Sequence, residues 1–492
     1  MNTAAEQTAE QTAEQMSGQQ TPAPQTIARQ MTARQKPEPK GSSLAERMKL
    51  TLNYDELTNC MRCGFCQPAC PTFRETGLEA ASPRGRIALM KAVVDGLMEP
   101  DESFRAQMDL CLGCRACETV CPADVKYGEL IEQTREALEH EAHRRWWVSA
   151  ARRLAFRHVF PKPGRMRLLG SSLKLYQKSG LRTLARGTGA LKLFPEHIRQ
   201  MEKILPDASG EGVVERIGTF YPAQGEPVGT VGMFRGCVMD VLFTGTNVNT
   251  VKLLSMAGFN VVIPDNQNCC GALHAHSGET ELARELARNN IKAFREAGVD
   301  TIISNAGGCG ALLVEYDRLL KEDPEMAEDA KWFASRVKDI SQVILEKGRI
   351  PKFKGSSSVT VTYQDSCHLR NVMKASGAPR NLLGRVENVR FVEMQGTDRC
   401  CGSAGIYNIL QPEMSMDILD HKMEHVKETE AQIVLTSNPG CLLQMKLGIE
   451  REGLTGKVKA EHIVDFLMEN VQEQQRNGET QAAVISACSQ SV

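Results

Sequence analysis

From Thr230 to about Leu467 the chain alternates short, dense apolar runs with longer amphipathic ones. "TVGMF" (230–234), "NVVIP" (260–264) and "TIISN" (301–305) have the length and β-branched content of buried strands. "SVTVTY" (358–363), "VRFVEM" (389–394) and "QIVLTS" (432–437) follow in the same order. Helical patterns such as "ETELARELARNNIKAFREAG" separate them. Alternating strand and helix predicts parallel sheets covered by helices. The segments 229–350 and 351–470 therefore read as two copies of one α/β unit.

Upstream the pattern changes. Between Pro71 and Leu110, Ile87, Met90, Val94 and Leu97 recur at helical spacing behind a loop holding Pro83 and Gly85. Residues 44–142 are expected to form a helix-rich block. Residues 143–228 read as a basic helical linker. From Glu141 to Leu205 fifteen Lys and Arg stand against three Glu, interleaved with Trp146, Trp147, Phe156, Phe160 and Tyr176. Such a stretch either lies on an anionic membrane surface, docks on a partner, or is a solvated linker packed on the next domain. Residues 1–43, with their "AEQTAEQTAEQ" run, are polar and expected to stay disordered, and 471–492 read as a tail.

Composition narrows the classes. At 492 residues there is chain enough for two or three cores, and a net charge of −1 argues against a nucleic-acid binder. No apolar run approaches the ~18 residues of a membrane span, and the first residues carry no signal-like apolar region. The expectation is a cytoplasmic protein, with the inner face of the cell membrane as a peripheral site. Seventeen cysteines in such a setting read as metal or redox ligands rather than as a disulfide framework.

Eight of them lie in two runs of identical spacing, "CMRCGFCQPACP" (60–71) and "CLGCRACETVCP" (111–122). A tight turn offers three thiolates to one cubane, while the fourth, before proline, serves the other cluster in two-cluster ferredoxins. One 4Fe–4S cluster then takes Cys60, Cys63, Cys66 and Cys121. The second takes Cys111, Cys114, Cys117 and Cys70. Cys-x2-Cys is also a zinc spacing, but two complete copies with trailing Cys-Pro favour clusters. The fold class expected is α+β overall: a helix-rich two-cluster ferredoxin domain, then a duplicated α/β cysteine-rich domain with parallel sheets.

The duplication carries its own cysteines. Cys237, Cys269, Cys270 and Cys309 recur as Cys367, Cys400, Cys401 and Cys441, at offsets of 130, 131, 131 and 132 residues, and both pairs precede glycine (Gly271, Gly402). Each follows the carboxyl end of an expected strand, where open α/β sheets place ligands. They are candidates for a further cluster or metal, against the alternative of buried thiols. His274, His276 and His368 lie near them in sequence, as extra ligands, as proton relays titrating near neutrality, or as ordinary buried or surface histidines.

Other cofactors leave no trace. "GTGALK" (187–192) lacks the third glycine and the preceding strand of a dinucleotide fingerprint, and there is no phosphate loop or nucleophile elbow. No flavin or nicotinamide site is expected on this chain. A carrier of single electrons needs a partner that takes the hydride from an organic substrate.

The layout from about Tyr54 to Leu467 resembles the iron–sulfur subunit of bacterial glycolate oxidase (glycolate dehydrogenase). The resemblance rests on "CMRCGFCQPACPTF", "SPRGRI", "CLGCRACETVCPADVKYGEL", "NCCGALHAH", "SNAGGCGALLVEY" and "RCCGSAGIYN". It implies a complex in which FAD-binding subunits oxidise glycolate to glyoxylate. This chain would pass the electrons toward a membrane quinone or similar acceptor. The repeats resemble the cysteine-rich domain of heterodisulfide reductases, which implies a noncubane cluster; that family ends each repeat with Cys-x2-Cys, whereas Cys309 and Cys441 stand alone. Subunits of lactate and anaerobic glycerol-3-phosphate dehydrogenases share both domain types. A thiol–disulfide oxidoreductase acting at the repeated cysteines is the rival of a different class.

Overall fold

A computed structural model describes residues 43–140 and 144–472. The tails expected at 1–43 and 471–492 lie almost wholly outside them. Helices Leu44–Thr51, Tyr54–Asn59, Pro83–Val94, Glu102–Asp109 and Tyr127–His140 build the amino-terminal block. Its core gathers Met48, Leu57, Met90, Phe104, Met108 and Leu130, all buried. The helix around Ile87, Met90 and Val94 opens with Ser82, whose hydroxyl accepts the Gly85 N–H, and with Pro83 in the first turn. It stops at Val94. Leu97, expected on its apolar stripe, is 81% exposed beyond the helix end.

The linker is helical, as its pattern suggested. Trp146–Arg153, a π-turn at Leu154–Val159, Pro163–Lys178, Leu181–Gly187 and Glu196–Ile204 follow one another. Phe156 and Met166 face inward and are buried. Trp146, Leu168, Leu175, Leu184 and Leu193 face outward and are more than half exposed.

The two halves of the remainder share one topology. The first sheet is built from β1 (Phe220–Tyr221), β2 (Gly229–Met233), β3 (Phe259–Val262), β4 (Thr301–Ser304) and β5 (Val337–Asp339), in the order β1-β3-β2-β4-β5. The second contains β6 (Phe353–Tyr363), β7 (Val386–Phe391), β8 (Ile433–Thr436) and β9 (Lys459–His462), ordered β7-β6-β8-β9. Setting aside β1, which pairs antiparallel, β2 to β5 and β6 to β9 are parallel and occupy matching places. The duplication read from the cysteines is thus a duplication of fold. Sequence patterning missed β1, β5 and β9. They are edge strands of two to four residues, too short for an apolar run.

The sheets share a core in which Val231, Phe259 and Ile303 meet Val361, Leu435 and Phe466. Across their carboxyl ends the Gly307 N–H donates to Ser437 O (3.1 Å) and the Gly308 N–H to Asn438 Oδ1 (3.0 Å). The cysteine-bearing ends of the two repeats therefore face each other. No helix among the described residues is long and apolar enough to cross a membrane.

Candidate redox centres

The two four-cysteine runs fold into the same loop. Arg62 and Gly64 have positive φ (56° and 93°), as do Gly113 and Arg115 (65° and 59°), at equivalent positions of the two runs. Arginine and glycine trade places, yet the backbone keeps its shape. Alternation of right- and left-handed residues curls amide groups into a concavity that suits an anion, and sulfur-bridged iron clusters are anionic. A non-glycine residue there costs energy, so the loop is held by its surroundings.

Around the first loop, Cys60, Cys63, Cys66 and Cys121 line a small cavity together with Cys117. Cys70, Cys111, Cys114 and Cys117 are buried together, each of Cys114 and Cys117 having Cys70 and Cys111 as charged neighbours. The fourth cysteine of each run thus turns toward the other run's set. Among the described residues no three Cys, His, Asp or Glu side chains converge as ligands of a single ion would. Thiols spread around a cavity, with inward-curled amides, fit a polynuclear iron–sulfur group.

Several residues that the sequence reading did not single out support these loops. Arg84 pairs with Glu79 (2.7 Å) and donates from Nη1 to Arg62 O (3.0 Å), bracing the first loop. Arg86 is wholly buried and donates to Gln107 O (2.7 Å) and Thr72 Oγ1 (3.1 Å). Burial opposes its charge, but Tyr127, Cys111 and Cys70 hold it protonated. Burial likewise pushes the Cys111 thiol up, and Arg86 with Arg135 more than offsets this, leaving it below the ordinary thiol range. For Cys114 and Cys117 burial wins and the thiols are raised. A buried guanidinium at the cysteine set is a fixed counter-ion for thiolate ligands. The signal available was "SPRGR", where two arginines flank a glycine. A Cβ on Gly85 would lie 1.9 Å from Glu79 O, so only glycine lets this helix seat against the preceding turn.

Each repeat brings its four cysteines together as a chain of contacts. In the first, Cys237 donates to Cys269 (3.4 Å), and Cys270 interacts with Cys269 and Cys309. In the second, Cys400 interacts with Cys367 and Cys401, and Cys401 with Cys441. The glycine after each pair is required: Gly271 and Gly402 have φ of +86° and +90°, and a Cβ on Gly402 would fall 2.6 Å from Ser415 O. Cys441 is the third residue of the helix Pro439–Arg451, and Asn438 Nδ2 donates to its sulfur (3.5 Å).

The repeats differ in their surroundings. Lys422, buried beside Cys400 and Cys401, donates to Gly396 O and is pushed down to about 8 by burial. Near the corresponding place in the first repeat Asn290 is neutral and bonds Cys269 O (3.0 Å). The second repeat also carries the loop of the Cys111 run: Asn371 Nδ2 donates to Cys114 O (2.8 Å) and Tyr407 OH to Leu110 O (2.9 Å). Leu112, Cys114 and Cys400 share one apolar cluster with Cys367 at its edge. The first repeat pairs Glu315 with Arg115 of the same loop, and also lies under the linker, where Phe160, Pro163 and Met166 line a narrow cleft with Cys237 and Cys269.

Of the readings open to the histidines, the ordinary one fits: each bonds to another segment of the chain. His274 Nε2 donates to Phe156 O (2.9 Å), and its buried Nδ1 has no partner. His276 Nδ1 donates to Glu132 (3.0 Å), and His368 Nε2 to Gly113 O (3.1 Å). All three tie domains together. Burial lowers His274, and burial with His276 nearby lowers His368 to about 4, so His368 does not titrate near neutrality.

Known proteins match this arrangement segment by segment. Residues 56–125 match the 4Fe-4S dicluster domain, 147–205 the linker region of the glycolate oxidase iron-sulfur subunit, and 231–314 and 361–446 the cysteine-rich domain. A probable glycolate oxidase iron-sulfur subunit of Bacillus subtilis (strain 168) is 52% identical over 423 residues, 86% of this chain and 95% of that protein. The glycolate oxidase iron-sulfur subunit of Escherichia coli (strain K12) is 29% identical over 392 residues, 78% of this chain and 88% of that protein. Lactate utilization protein A of Shouchella clausii (strain KSM-K16) is 30% identical over 237 residues, 98% of that protein but 48% of this chain.

Proposed function

The chain belongs to the family of glycolate oxidase iron–sulfur subunits, and we propose that it carries electrons from a FAD-binding partner subunit, which oxidises glycolate to glyoxylate, toward a quinone or similar acceptor. The clusters supply reversible one-electron chemistry when bound. The chain's own residues position and insulate them. In this reading Cys60, Cys63, Cys66 and Cys121 hold one 4Fe–4S cluster, and Cys70, Cys111, Cys114 and Cys117 the other. Arg86 offsets the negative charge of the second, while Arg84 keeps the first loop in shape.

What supports the reading most is that Cys121 lines the cavity of Cys60, Cys63 and Cys66, and that Cys70 is a charged neighbour of Cys114 and Cys117, although each run is contiguous in sequence. The repeats extend it. Cys237, Cys269, Cys270 and Cys309, and Cys367, Cys400, Cys401 and Cys441, would hold a further cluster or metal. Glycolate is favoured over lactate because the match to glycolate oxidase subunits runs through the amino-terminal block, the linker and both repeats, whereas the lactate protein aligns with about half of the chain. The outward apolar and basic face of the linker supports peripheral contact with an anionic membrane.

Anaerobic purification with the partner subunits tests this. Two cubanes predict about eight irons from the amino-terminal block alone, reduced on addition of glycolate. Stoichiometric zinc, or cubanes that glycolate leaves oxidised, would refute it.

A further inference from the structure

The two four-cysteine runs make one loop twice, so the cover on the second shows what kind of surface fits the first. Leu112 and Met61 hold the same place in their runs, as do Ala116 and Phe65. Leu112 is 8% exposed and clusters with Cys400, Tyr407 and Ile418 of the second repeat, with Ala116 packed at the edge. Met61 is 64% exposed and Phe65 66%. One copy of the loop is covered and the other is bare.

The cover on the second loop is polar as well as apolar. Tyr407 OH, His368 Nε2 and Asn371 Nδ2 donate to the carbonyls of Leu110, Gly113 and Cys114 (2.9, 3.1 and 2.8 Å). The matching residues of the first loop are Asn59, Arg62 and Cys63, all exposed. Arg84, from the same block, supplies one of the three donors, at Arg62 O (3.0 Å). Asn59 and Cys63 stay open at the surface. The Arg62 guanidinium forms no ion pair among the described residues.

Three occupants could cover such a patch. Lipid tails offer no donors to open carbonyls. A second copy of this chain has its fitting face, around Tyr407 and Asn371, already filled by its own second loop. A different protein remains. A partner that exchanges electrons with thiolate-held centres has to come near one, and among the described cysteines Cys63 alone is exposed. Resting on the electron-carrier reading above, we propose that the FAD-binding partner docks on the first loop, over Met61, Phe65 and the carbonyls of Asn59 and Cys63. Its face is apolar, with amide or hydroxyl donors for the two carbonyls and a carboxylate for Arg62.

Amide hydrogen exchange of the cluster-loaded chain, alone and assembled with the FAD-binding subunits, tests this. Exchange over residues 59–67 should slow by about tenfold or more on assembly. Unchanged exchange there in a complex that forms overturns the proposal. So does the same slowing produced by phosphatidylglycerol vesicles without the subunits, or by raising the concentration of the chain alone. In parallel, Phe65→Asp should raise the Kd of the complex at least about tenfold, as loss of an aromatic anchor does, with both cubane EPR signals retained; an unchanged Kd overturns it. Should that variant lose a cubane signal, the exchange measurement, which alters no residue, decides. Cubanes that glycolate leaves oxidised in a complex protected over 59–67 would refute the electron-carrier reading and leave the docking surface standing.

Discussion

Cys70 lies in sequence beside Cys66 and near it in space, yet it is also a charged neighbour of Cys114 and Cys117, and its sulfur sits 3.2 Å from Thr72 Oγ1. Cys70→Ala should therefore extinguish the EPR signal of the cluster bound by the 111–117 run and spare that of the 60–66 run. Loss confined to the 60–66 signal would reverse the pairing. Because cluster binding is folding energy in so small a block, partial unfolding of residues 44–140 is expected to accompany it. Asp339 offers a residue-level test away from the clusters. It is buried at the end of β5, accepts the Ser341 N–H (2.8 Å), and burial raises it to about 6. Between the unfolded value of about 3.9 and 6 the folded state keeps a proton that the unfolded state has lost. Stability thus falls as pH rises through that window, by about 3 kcal/mol in all. Asp339→Asn preserves the acceptor and should remove this loss, so its melting temperature should exceed the parent's increasingly from pH 4 to 6.5. A constant difference would mean that the carboxyl titrates normally.

At the scale of elements, the linker combines two jobs. Its inward side chains roof the first repeat: the Phe156 ring meets His274 edge-on at 4.9 Å, and Arg152 pairs with Glu279 (3.1 Å). Its outward face is apolar and basic, without a sheet or helix of the described chain across it. If that face meets anionic lipid, each Lys or Arg near the surface adds about 1 kcal/mol, screened over a Debye length of about 10 Å at 0.1 M salt. Co-sedimentation with phosphatidylglycerol vesicles should therefore fall as salt rises, and Trp146→Ala with Trp147→Ala should weaken it at low salt. Binding indifferent to salt, or none, would assign the face to the partner subunit. The paired glycines show the opposite behaviour. Gly271 and Gly402 have one job, to turn the chain sharply after each cysteine pair, and both are visible from sequence because only glycine occupies that φ at little cost.

For the whole molecule, local pattern and distant contact divided the determination between them. The two cysteine runs, the strand–helix alternation of the repeats and the glycine after each pair were legible because each is set within a turn or a strand, where neighbouring residues restrict one another directly. Arg86 and Lys422 were not: a buried charge reads as a surface residue until the groups that enclose it are known, and Gln107, Thr72 and Gly396 are contributed by other segments. The partners of the histidines were hidden for the same reason, since proximity in sequence to cysteine said nothing of Phe156, Glu132 or Gly113. The sequence by itself determined the spacing of the two four-cysteine runs, and that the cysteine-rich unit occurs twice. Only the tertiary structure decided that the two copies are unequal in their contacts: Asn371 and Tyr407 of the second hold the loop of the Cys111 run, while the first pairs Glu315 with Arg115 and packs Cys237 and Cys269 under the linker. That inequality depends on contacts such as Asn371 with Cys114, 257 residues apart, and a contact between distant segments leaves no periodicity in the chain from which it could be read.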